Sequence, residues 1–464
     1  MFKKKILKKA LPFAVLSTVF VGSLIGPGAQ SIVQAQETTA NNQSEVKNVI
    51  FLIGDGMGTS YTSAYRYFKD DRATPFVEKT EFDKYLVGQQ MTYPEDEKAS
   101  ITDSASAATA MSSGIKTFNN AIAVDNDKSR VKTVLEAAKE AGKSTGLVAT
   151  SEITHATPAA FGAHNESRKN MDAIADDYYN ERINGEHTID VLLGGGKSNF
   201  VRTDVNLTDS FKQDGFSYVT TKEELLKDGN DQVLGLFADG GLPKMIDRTD
   251  AVPSLADMTT TAIDRLSKND EGFFLMVEGS QIDWAGHAND VVGTMSEMED
   301  FEQAFKAAID FAKADGQTLV ITTADHSTGG FAIGADGSYN WSTDSIKAAK
   351  RTPGFMAGKI AEGANVENTL KMYIDQTLLP LTAEEINVVK AAGKKASDIE
   401  TVIKAIFDKR SFTGWTTGGH TGEDVPVYAY GPSKERFAGL KDNTDHAKVL
   451  FELLNLGSPS EDKH

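Results

Sequence analysis

Ser104 begins a stretch whose residue types could support nucleophilic chemistry. The segment Thr102-Asp103-Ser104 precedes a run of small helix formers, Ala105 to Ser113, and Gly114 follows where a helix C-cap is expected. This pattern predicts that Ser104 lies at or near a helix N-terminus, where unpaired N–H groups and the helix dipole stabilise an alkoxide or a bound phosphate. An ordinary Ser N-cap explains the same stretch, so Ser104 alone does not establish a reactive site.

Acidic residues stand at the ends of three apolar stretches that have the pattern of buried strands. Asp55 follows the first, Glu278 ends the second, and the pair Asp325-His326 comes just after the third. In an open α/β sheet, ligands bind at the carboxyl ends of the strands, so these carboxylates are expected to converge on one crevice. Carboxylates at one site repel each other, and the pattern therefore implies bound cations.

Further histidines complete the candidate metal ligands. Asp283 and His287 are separated by one helical turn and can bind one metal from one face of a helix. His420 stands in the glycine-rich stretch 418–422, where it is a poor core residue. Aspartate and histidine ligands without a thiolate suit zinc in a catalytic site, and enough carboxylate remains for a harder ion such as magnesium. The glycines of 54–58 do not have the spacing of a dinucleotide-binding loop.

Apolar strands that alternate with helices must position these residues. The pattern predicts the α/β class, with a large, mostly parallel central sheet sandwiched by helices. Strands are expected at 49–53, 145–149, 189–193, 273–277, 318–322 and 425–429. Helices are expected at 75–86, 105–113, 131–141, 171–183, 254–268, 293–314 and 443–453. No buried strand is expected between Trp341 and Trp415, where helical stretches at 367–375, 383–391 and 398–409 predict a helical insertion, 341–415.

The N-terminus has the order of parts found in a secretory signal peptide. Residues 1–35 contain five lysines, then an apolar run from Ala10 to Ile25, then a small-x-small cleavage site at 33–35. An uncleaved anchor is the alternative. Residues 36–47 are expected to form a disordered leader, and 48–464 the catalytic domain. The protein is therefore expected to be secreted, attached to the cell wall or, in a bacterium with two membranes, periplasmic.

Charge and composition exclude several partners. Removal of the signal peptide takes the formal charge from −18 to −23, and a protein this acidic repels nucleic acid and anionic membranes. The chain has no cysteine, so it has no disulfide framework, and its length allows a large core without one. No later apolar run is long enough to span a membrane.

Several motifs, taken together, resemble the alkaline phosphatase family, and in particular its secreted Bacillus-type branch. They occur in the order of that family: Gly54-Asp55-Gly56-Met57-Gly58, Thr102-Asp103-Ser104-Ala105, Ala156-Thr157-Pro158-Ala159-Ala160, Glu278-Gly279-Ser280-Gln281-Ile282-Asp283, Ala324-Asp325-His326 and Gly419-His420-Thr421-Gly422. The resemblance implies a homodimeric phosphomonoesterase that hydrolyses phosphate monoesters at alkaline pH through a phosphoserine intermediate. Phosphate scavenging is the biological role that it suggests.

The resemblance also implies two Zn²⁺ ions and one Mg²⁺ ion, together with a role for each matched residue. Ser104 matches the nucleophile and Arg168 the phosphate-binding arginine, whose guanidinium can hold two phosphate oxygens. The residues that match one zinc site are Asp283, His287 and His420, and those that match the other are Asp55, Asp325 and His326. The third site is matched by Thr157 and Glu278, with Asp55 bridging to it.

Two residues depart from the enterobacterial pattern of the family. His155 stands where that pattern has Asp, which puts an imidazole near the third site and predicts a site more tolerant of Zn²⁺. Trp284 stands where that pattern has Lys, and the loss of a cation predicts weaker retention of inorganic phosphate. Other activities compatible with such a site are those of phosphodiesterases, sulfatases and phosphoglycerate mutases. A non-catalytic metal or phosphate binder is a further alternative, whereas a metalloprotease is disfavoured because H-E-x-x-H is absent.

Overall fold

A ten-stranded sheet lies at the centre of the fold. The structure, a computed structural model, describes residues 45–457. Its strands are β1 Asn48–Gly54, β2 Leu86–Met91, β3 Ser144–Glu152, β4 Arg182–Ile183, β5 Glu186–His187, β6 Val191–Gly195, β7 Ser217–Val219, β8 Val233–Leu236, β9 Phe273–Gly279, β10 Thr318–Thr323, β11 Ser327–Thr328, β12 Ala332–Ile333, β13 Thr413–Gly414, β14 His420–Thr421, β15 Val425–Tyr430 and β16 Gly439–Asp442.

Helices cover the sheet and connect its strands. They are α1 Thr59–Lys69, α2 Ser104–Ser113, α3 Val134–Glu140, α4 Ala156–Gly162, α5 Met171–Asn180, α6 Lys197–Phe200, α7 Leu207–Gln213, α8 Lys222–Lys227, α9 Leu255–Leu266, α10 Gln281–His287, α11 Val291–Asp315, α12 Thr343–Lys347, α13 Pro353–Ala361, α14 Val366–Tyr373, α15 Ala383–Ala391, α16 Ala396–Ser411 and α17 Thr444–Leu453. The predicted α/β class is confirmed.

The sheet is parallel except at one strand. Its order is β16-β2-β15-β10-β1-β9-β3-β6-β8-β7, and β15 runs antiparallel to both of its neighbours. The six predicted strands correspond to β1, β3, β6, β9, β10 and β15, whereas β2, β7, β8 and β16 were not predicted. Pro426 is the second residue of β15, so it is tolerated near the start of an inner strand.

Strand β1 shows why continuous apolar runs mark the inner strands. All seven of its residues are buried, because helices cover both faces of the sheet. Ile50 and Leu52 belong to the core on one face. Val49, Phe51 and Ile53 belong to the core on the other, as the alternation of side chains along a strand requires. The pairing of β1 with β9 and β10 is parallel, so Asp55, Glu278 and Asp325 lie at the same end of the sheet.

The helix predicted at 75–86 is wrong. The structure has α1 before this segment, then an irregular stretch, a short 3₁₀ turn at Phe82–Lys84 and strand β2. Phe76 is 79% exposed, so its apolar side chain does not mark a buried helix face. Phe82 is fully buried and stacks on Phe301 and Phe305, with ring centroids 5.8 and 5.1 Å away. Tertiary packing of one aromatic ring therefore replaces the helical periodicity that the sequence suggested.

The helical insertion contacts an element that carries candidate metal ligands. Its three predicted helices correspond to α14, α15 and α16, and it contains two more, α12 and α13. On α16, the Lys404 ammonium donates a hydrogen bond to the carbonyl of Ala288, directly after the C-terminus of α10. A cation at a helix C-terminus is favourable because the last carbonyls carry partial negative charge. The insertion therefore holds the end of the helix on which Asp283 and His287 lie.

The predicted signal peptide lies outside the described residues, as does the first part of the leader. Residues 45–47, at the end of the predicted leader, belong to the folded domain. Val46 is buried, and the Lys47 N–H donates to the carbonyl of Gln317 at 3.0 Å. Within residues 45–457, no helix is both long enough and apolar enough to cross a bilayer.

We predict that Phe82→Ala lowers the free energy of unfolding by about 3–5 kcal/mol, because it leaves a cavity between α11 and the sheet. Phe76→Ala, on the exposed part of the same segment, should change it by less than about 0.5 kcal/mol. Chemical denaturation followed by intrinsic fluorescence measures both values. Equal losses for the two variants would contradict the packing role of Phe82.

We predict that Lys404→Met increases backbone hydrogen exchange in residues 281–290 of the metal-free protein, because the end of α10 loses its charged donor. Lys404→Arg should keep exchange close to the wild-type rate, since a guanidinium also donates to a carbonyl. Lys409→Met, an exposed change on the same helix, is the control. Exchange that rises equally in the Lys409 variant would show a general loosening of α16 instead.

Candidate active site

Ser104 is the first residue of helix α2, but it does not cap that helix. The N-cap is Asp103, whose carboxylate accepts a hydrogen bond from the Ser106 N–H at 3.0 Å. The hydroxyl of Ser104 is therefore free of a capping role and lies 3.1 Å from Nε2 of His326. Ser104 is only 1% exposed, and the whole of α2 is buried. The structure thus rejects the ordinary N-cap explanation and places a hydroxyl at the positive end of a helix dipole.

The first of three groups that could hold a metal ion consists of Asp283, His287 and His420. Nδ1 of His287 lies 2.6 Å from the Gly418 carbonyl, and Nδ1 of His420 lies 2.9 Å from the Thr102 carbonyl. A carbonyl only accepts, so each Nδ1 carries a proton, and in the neutral form of each ring Nε2 is left with a lone pair. The two Nε2 atoms are 3.1 Å apart and repel each other unless a proton or a metal ion lies between them.

Backbone carbonyls orient these imidazoles in the way that metal-binding histidines require. The hydrogen bond to Asp283 raises the pKa of His287 to about 9. In contrast, burial and the nearby His326 lower the pKa of His420 to about 4. His287 thus favours its charged form, whereas His420 favours its neutral form, which has a lone pair on Nε2. Positive charge beside Asp283 is therefore favourable, and a bound metal ion could supply it.

The second group consists of Asp55, Asp325 and His326, all of which are fully buried. Nε2 of His326 lies 3.2 Å from Oδ2 of Asp325 and 3.5 Å from Oδ1 of Asp55. Neither carboxylate oxygen of Asp55 has a hydrogen-bond partner. Burial, together with the charges of Asp283 and Asp325, raises the pKa of Asp55 well above its usual value. Buried carboxylate oxygens without donors are costly, so this group also fits a cation.

The third group consists of Asp55, His155 and Glu278, so Asp55 is shared with the second group. Burial raises the pKa of Glu278 to about 7. The hydroxyl of Thr157, in the first turn of α4, faces this carboxyl and acts to lower its pKa. The donor set is dominated by oxygen atoms, which suits magnesium, and the imidazole adds a nitrogen atom that suits zinc.

Arg168 is held between Asp103 and His155. Its Nη1 lies 3.1 Å from Oδ2 of Asp103, and its Nη2 lies 3.1 Å from Nε2 of His155. Burial and the guanidinium lower the pKa of His155 to about 3, so the ring is neutral. The ring of Trp284 packs edge-on against His155, with centroids 5.7 Å apart and planes at 77°. The two departures from the enterobacterial pattern therefore contact each other.

The structure brings every predicted site residue into one cluster near the carboxyl ends of β1, β9 and β10. It also shows supporting residues that the sequence patterns did not reveal. Asp103 caps α2 and holds Arg168, and an aspartate directly before a helix was a signal for at least the first of these roles. Tyr61 donates to the Thr328 carbonyl at 2.6 Å, and the Thr328 hydroxyl donates to Asp283. Gln90 donates to the Ala324 carbonyl at 2.8 Å, next to Asp325.

This arrangement suits a ligand that is an anion with several negatively charged oxygen atoms. The site has three groups that could bind cations, the buried hydroxyl of Ser104 contacts one of them through His326, and the Arg168 guanidinium contacts another through His155. Such a site can bind a dianion, neutralise its charge and present a nucleophile to it.

Comparisons with known proteins agree with this geometry. The family model for alkaline phosphatase matches residues 46–456. Alkaline phosphatase 3 of Bacillus subtilis (strain 168) is 67% identical over 99% of this chain and 100% of its own length. The crystal structure of a cold-active alkaline phosphatase from Shewanella sp. is 42% identical, with a TM-score of 0.82 over 88% of this chain and 99% of that one.

A variant of the TAB5 alkaline phosphatase, from an Antarctic bacterium, has magnesium bound in a site named M3. It is 32% identical to this chain, with a TM-score of 0.66 over 90% of this chain and 100% of that one. Since the family model matches residues 46–456 and the relatives match nearly the whole chain, the chain belongs to the alkaline phosphatase family of phosphoric monoester hydrolases.

Proposed function

We propose that the protein hydrolyses phosphate monoesters at alkaline pH through a phosphoserine intermediate on Ser104. One observation carries this proposal. The Ser104 hydroxyl is not used as a helix cap, and it points to His326 among three groups that could bind metal ions. A buried hydroxyl that lies at a helix N-terminus, next to residues that could bind cations, has the position that an activated nucleophile requires.

Ser104 and Arg168 have complementary tasks in this reaction. The guanidinium of Arg168 binds two oxygens of the phosphate dianion and orients phosphorus toward Ser104. Oγ of Ser104 gives up its proton and forms a bond to phosphorus while the ester P–O bond breaks, and the leaving oxygen takes up a proton and departs as the alcohol. Water then gives up a proton and attacks phosphorus, the Oγ–P bond breaks, Oγ takes up a proton, and inorganic phosphate is released. Two displacements with inversion give net retention at phosphorus.

The metal ions that we propose are two Zn²⁺ ions and one Mg²⁺ ion. Asp283, His287 and His420 would hold one Zn²⁺, and Asp55, Asp325 and His326 the other. When bound, these ions lower the pKa of a hydroxyl and offset the charge of the phosphoryl group. Thr157 and Glu278, with Asp55, would hold Mg²⁺ at the third site, and the nitrogen of His155 would let Zn²⁺ compete there.

Arg168 favours monoesters over the related substrates. Its fork fits the two unsubstituted oxygens of a monoester dianion, whereas a diester or a sulfate monoester carries less charge. The free hydroxyl of Ser104 argues against a non-catalytic binder, which needs no nucleophile. Trp284 brings no positive charge to the crevice, so we propose weaker retention of inorganic phosphate than in relatives with a lysine there.

Secretion, phosphate scavenging and a homodimer complete the proposal. The signal-peptide pattern of residues 1–35 supports export. The acidic charge argues against nucleic-acid partners. Leu86 and Leu440 support a second copy as the partner, because they lie on the adjacent strands β2 and β16, line one groove and are 56% and 60% exposed. Large apolar side chains that are exposed in one groove are typical of an interaction surface.

We predict that Ser104→Ala lowers phosphate release from para-nitrophenyl phosphate by about 1,000-fold or more, because the nucleophile is lost. A chelator should have a similar effect on the wild type. Ser113→Ala, at the other end of the same helix, should retain nearly full activity. Wild-type rates on the bis ester and on the sulfate should be far lower.

Three outcomes would contradict this proposal. Activity that persists in the Ser104→Ala variant would exclude Ser104 as the nucleophile. Net inversion at a chiral phosphate would exclude a covalent intermediate. Metal-replete wild type without phosphatase activity at alkaline pH would leave the non-catalytic binder as the better account.

We predict that the protein is a dimer in solution and that the double variant Leu86→Glu, Leu440→Glu is a monomer, because charges in an apolar interface are costly. Size-exclusion chromatography with light scattering measures the mass. Leu226→Glu, another exposed leucine, located on α8, is the control. A monomeric wild type at all concentrations would contradict the dimer, and a dimeric double variant would place the interface elsewhere.

A further inference from the structure

His155 lies between the Arg168 guanidinium and the third cation site, and both compete for the lone pair of its imidazole ring. Its Nε2 accepts a hydrogen bond from Nη2 of Arg168 at 3.1 Å. The ring is also part of the group with Asp55 and Glu278 that could hold the third cation. Its Nδ1 is buried and has no hydrogen-bond partner. The residue thus faces the phosphate-binding arginine on one side and the third metal site on the other.

The hydrogen bond with Arg168 determines which nitrogen of the His155 ring carries the proton. A guanidinium has only donors, so His155 must be the acceptor in this hydrogen bond. An imidazole with an accepting Nε2 is neutral and carries its proton on Nδ1. A neutral imidazole has one lone pair in the ring plane, and Arg168 already uses it.

A metal ion that binds His155 directly needs that same lone pair. If the ion binds Nε2, it replaces Arg168 at this atom. If it binds Nδ1, the proton must move to Nε2, which then becomes a donor facing the N–H groups of the guanidinium. In either case the hydrogen bond to Arg168 is lost. Trp284 packs against the ring, which limits how far the ring can turn to avoid the conflict.

We propose that His155 is a positioning residue for Arg168, and that a cation bound directly to His155 releases Arg168 from it. This inference rests on the proposed phosphatase site. Magnesium prefers oxygen ligands, so Mg²⁺ held by Asp55, Glu278 and Thr157 leaves the lone pair to Arg168. Zinc binds imidazole well, so Zn²⁺ at the same site takes the lone pair.

The consequence concerns the affinity for phosphate. With Asp103 on Nη1 and His155 on Nη2, the guanidinium is fixed from two sides and still has three of its five donors free. A fixed fork binds the dianion without losing further conformational freedom. Release from His155 leaves Asp103 as the remaining side-chain partner, so phosphate should bind less tightly. Because Mg²⁺ and Zn²⁺ carry the same charge, their comparison isolates this effect from simple attraction.

The test compares two forms of the holoenzyme, with Mg²⁺ or Zn²⁺ at the third site, prepared by dialysis and verified by elemental analysis. Calorimetry measures the dissociation constant of inorganic phosphate, which does not depend on turnover. We expect phosphate to bind about 5-fold more weakly to the Zn²⁺ form. In crystals, Nε2 of His155 should lie within hydrogen-bond distance of Nη2 in the Mg²⁺ form and beyond it in the Zn²⁺ form.

The matched variant is His155→Asp. A carboxylate has enough lone pairs to accept from Arg168 and to bind a cation at once, so the difference between the two metal forms should vanish. The proposal is overturned if the variant shows the same difference as the wild type, or if Arg168 stays bonded to a zinc-ligated His155. It is also overturned if Zn²⁺ never enters the third site. If the wild-type holoenzyme has no phosphatase activity but still binds phosphate more weakly in its Zn²⁺ form, the proposed function is refuted and the role of His155 is not.

Discussion

Repulsion among four buried carboxylates constrains the rest of this structure. Asp55, Glu278, Asp283 and Asp325 are at most 3% exposed, and the parallel pairing of β1 with β9 and β10 brings them to one end of the sheet. Removing a charge from water costs several kcal/mol per ion unless it is compensated. The fold can keep these side chains together if they take up protons or if positive charge lies close to them, and imidazoles, a guanidinium and metal ions can supply that charge.

Shared segments of backbone position Ser104, the proposed nucleophile, and two of the proposed metal ligands. The carbonyl of Thr102 orients His420, and two residues later the same segment places Ser104. The Gly418 carbonyl orients His287 in the same way, and Gly418 belongs to the loop that carries His420. A shift of either loop would therefore move a ligand and its neighbour together, which keeps the distances within the site constant.

Much of this site could be predicted from the sequence because its residues stand in local patterns. Buried parallel strands read as continuous apolar runs, and a residue placed just after such a run lies at the carboxyl end of the sheet. That reasoning located Asp55, Glu278 and Asp325, and the spacing of Asp283 and His287 placed both on one turn of a helix. The small helix formers after Ser104 likewise predicted α2 within one residue.

What could not be predicted depends on contacts between segments far apart in the chain. Phe82 packs on rings of α11, and this contact replaces the helix suggested by the local pattern. His155 reads as a metal ligand, but its hydrogen bond to Arg168 depends on how two loops fold together. The sequence showed Asp103 only as the residue before Ser104. Short strands such as β7 and β16 lack the long apolar run that identifies an inner strand.

Helix α2 has no exposed face. Each of its residues is buried, and alanine, serine and threonine make up nearly all of it, because larger side chains would not fit against the neighbouring helices. Ser104, the proposed nucleophile, thus lies on a helix whose every residue is packed against the rest of the protein. A substitution that alters substrate binding without disturbing this packing would therefore have to lie outside α2.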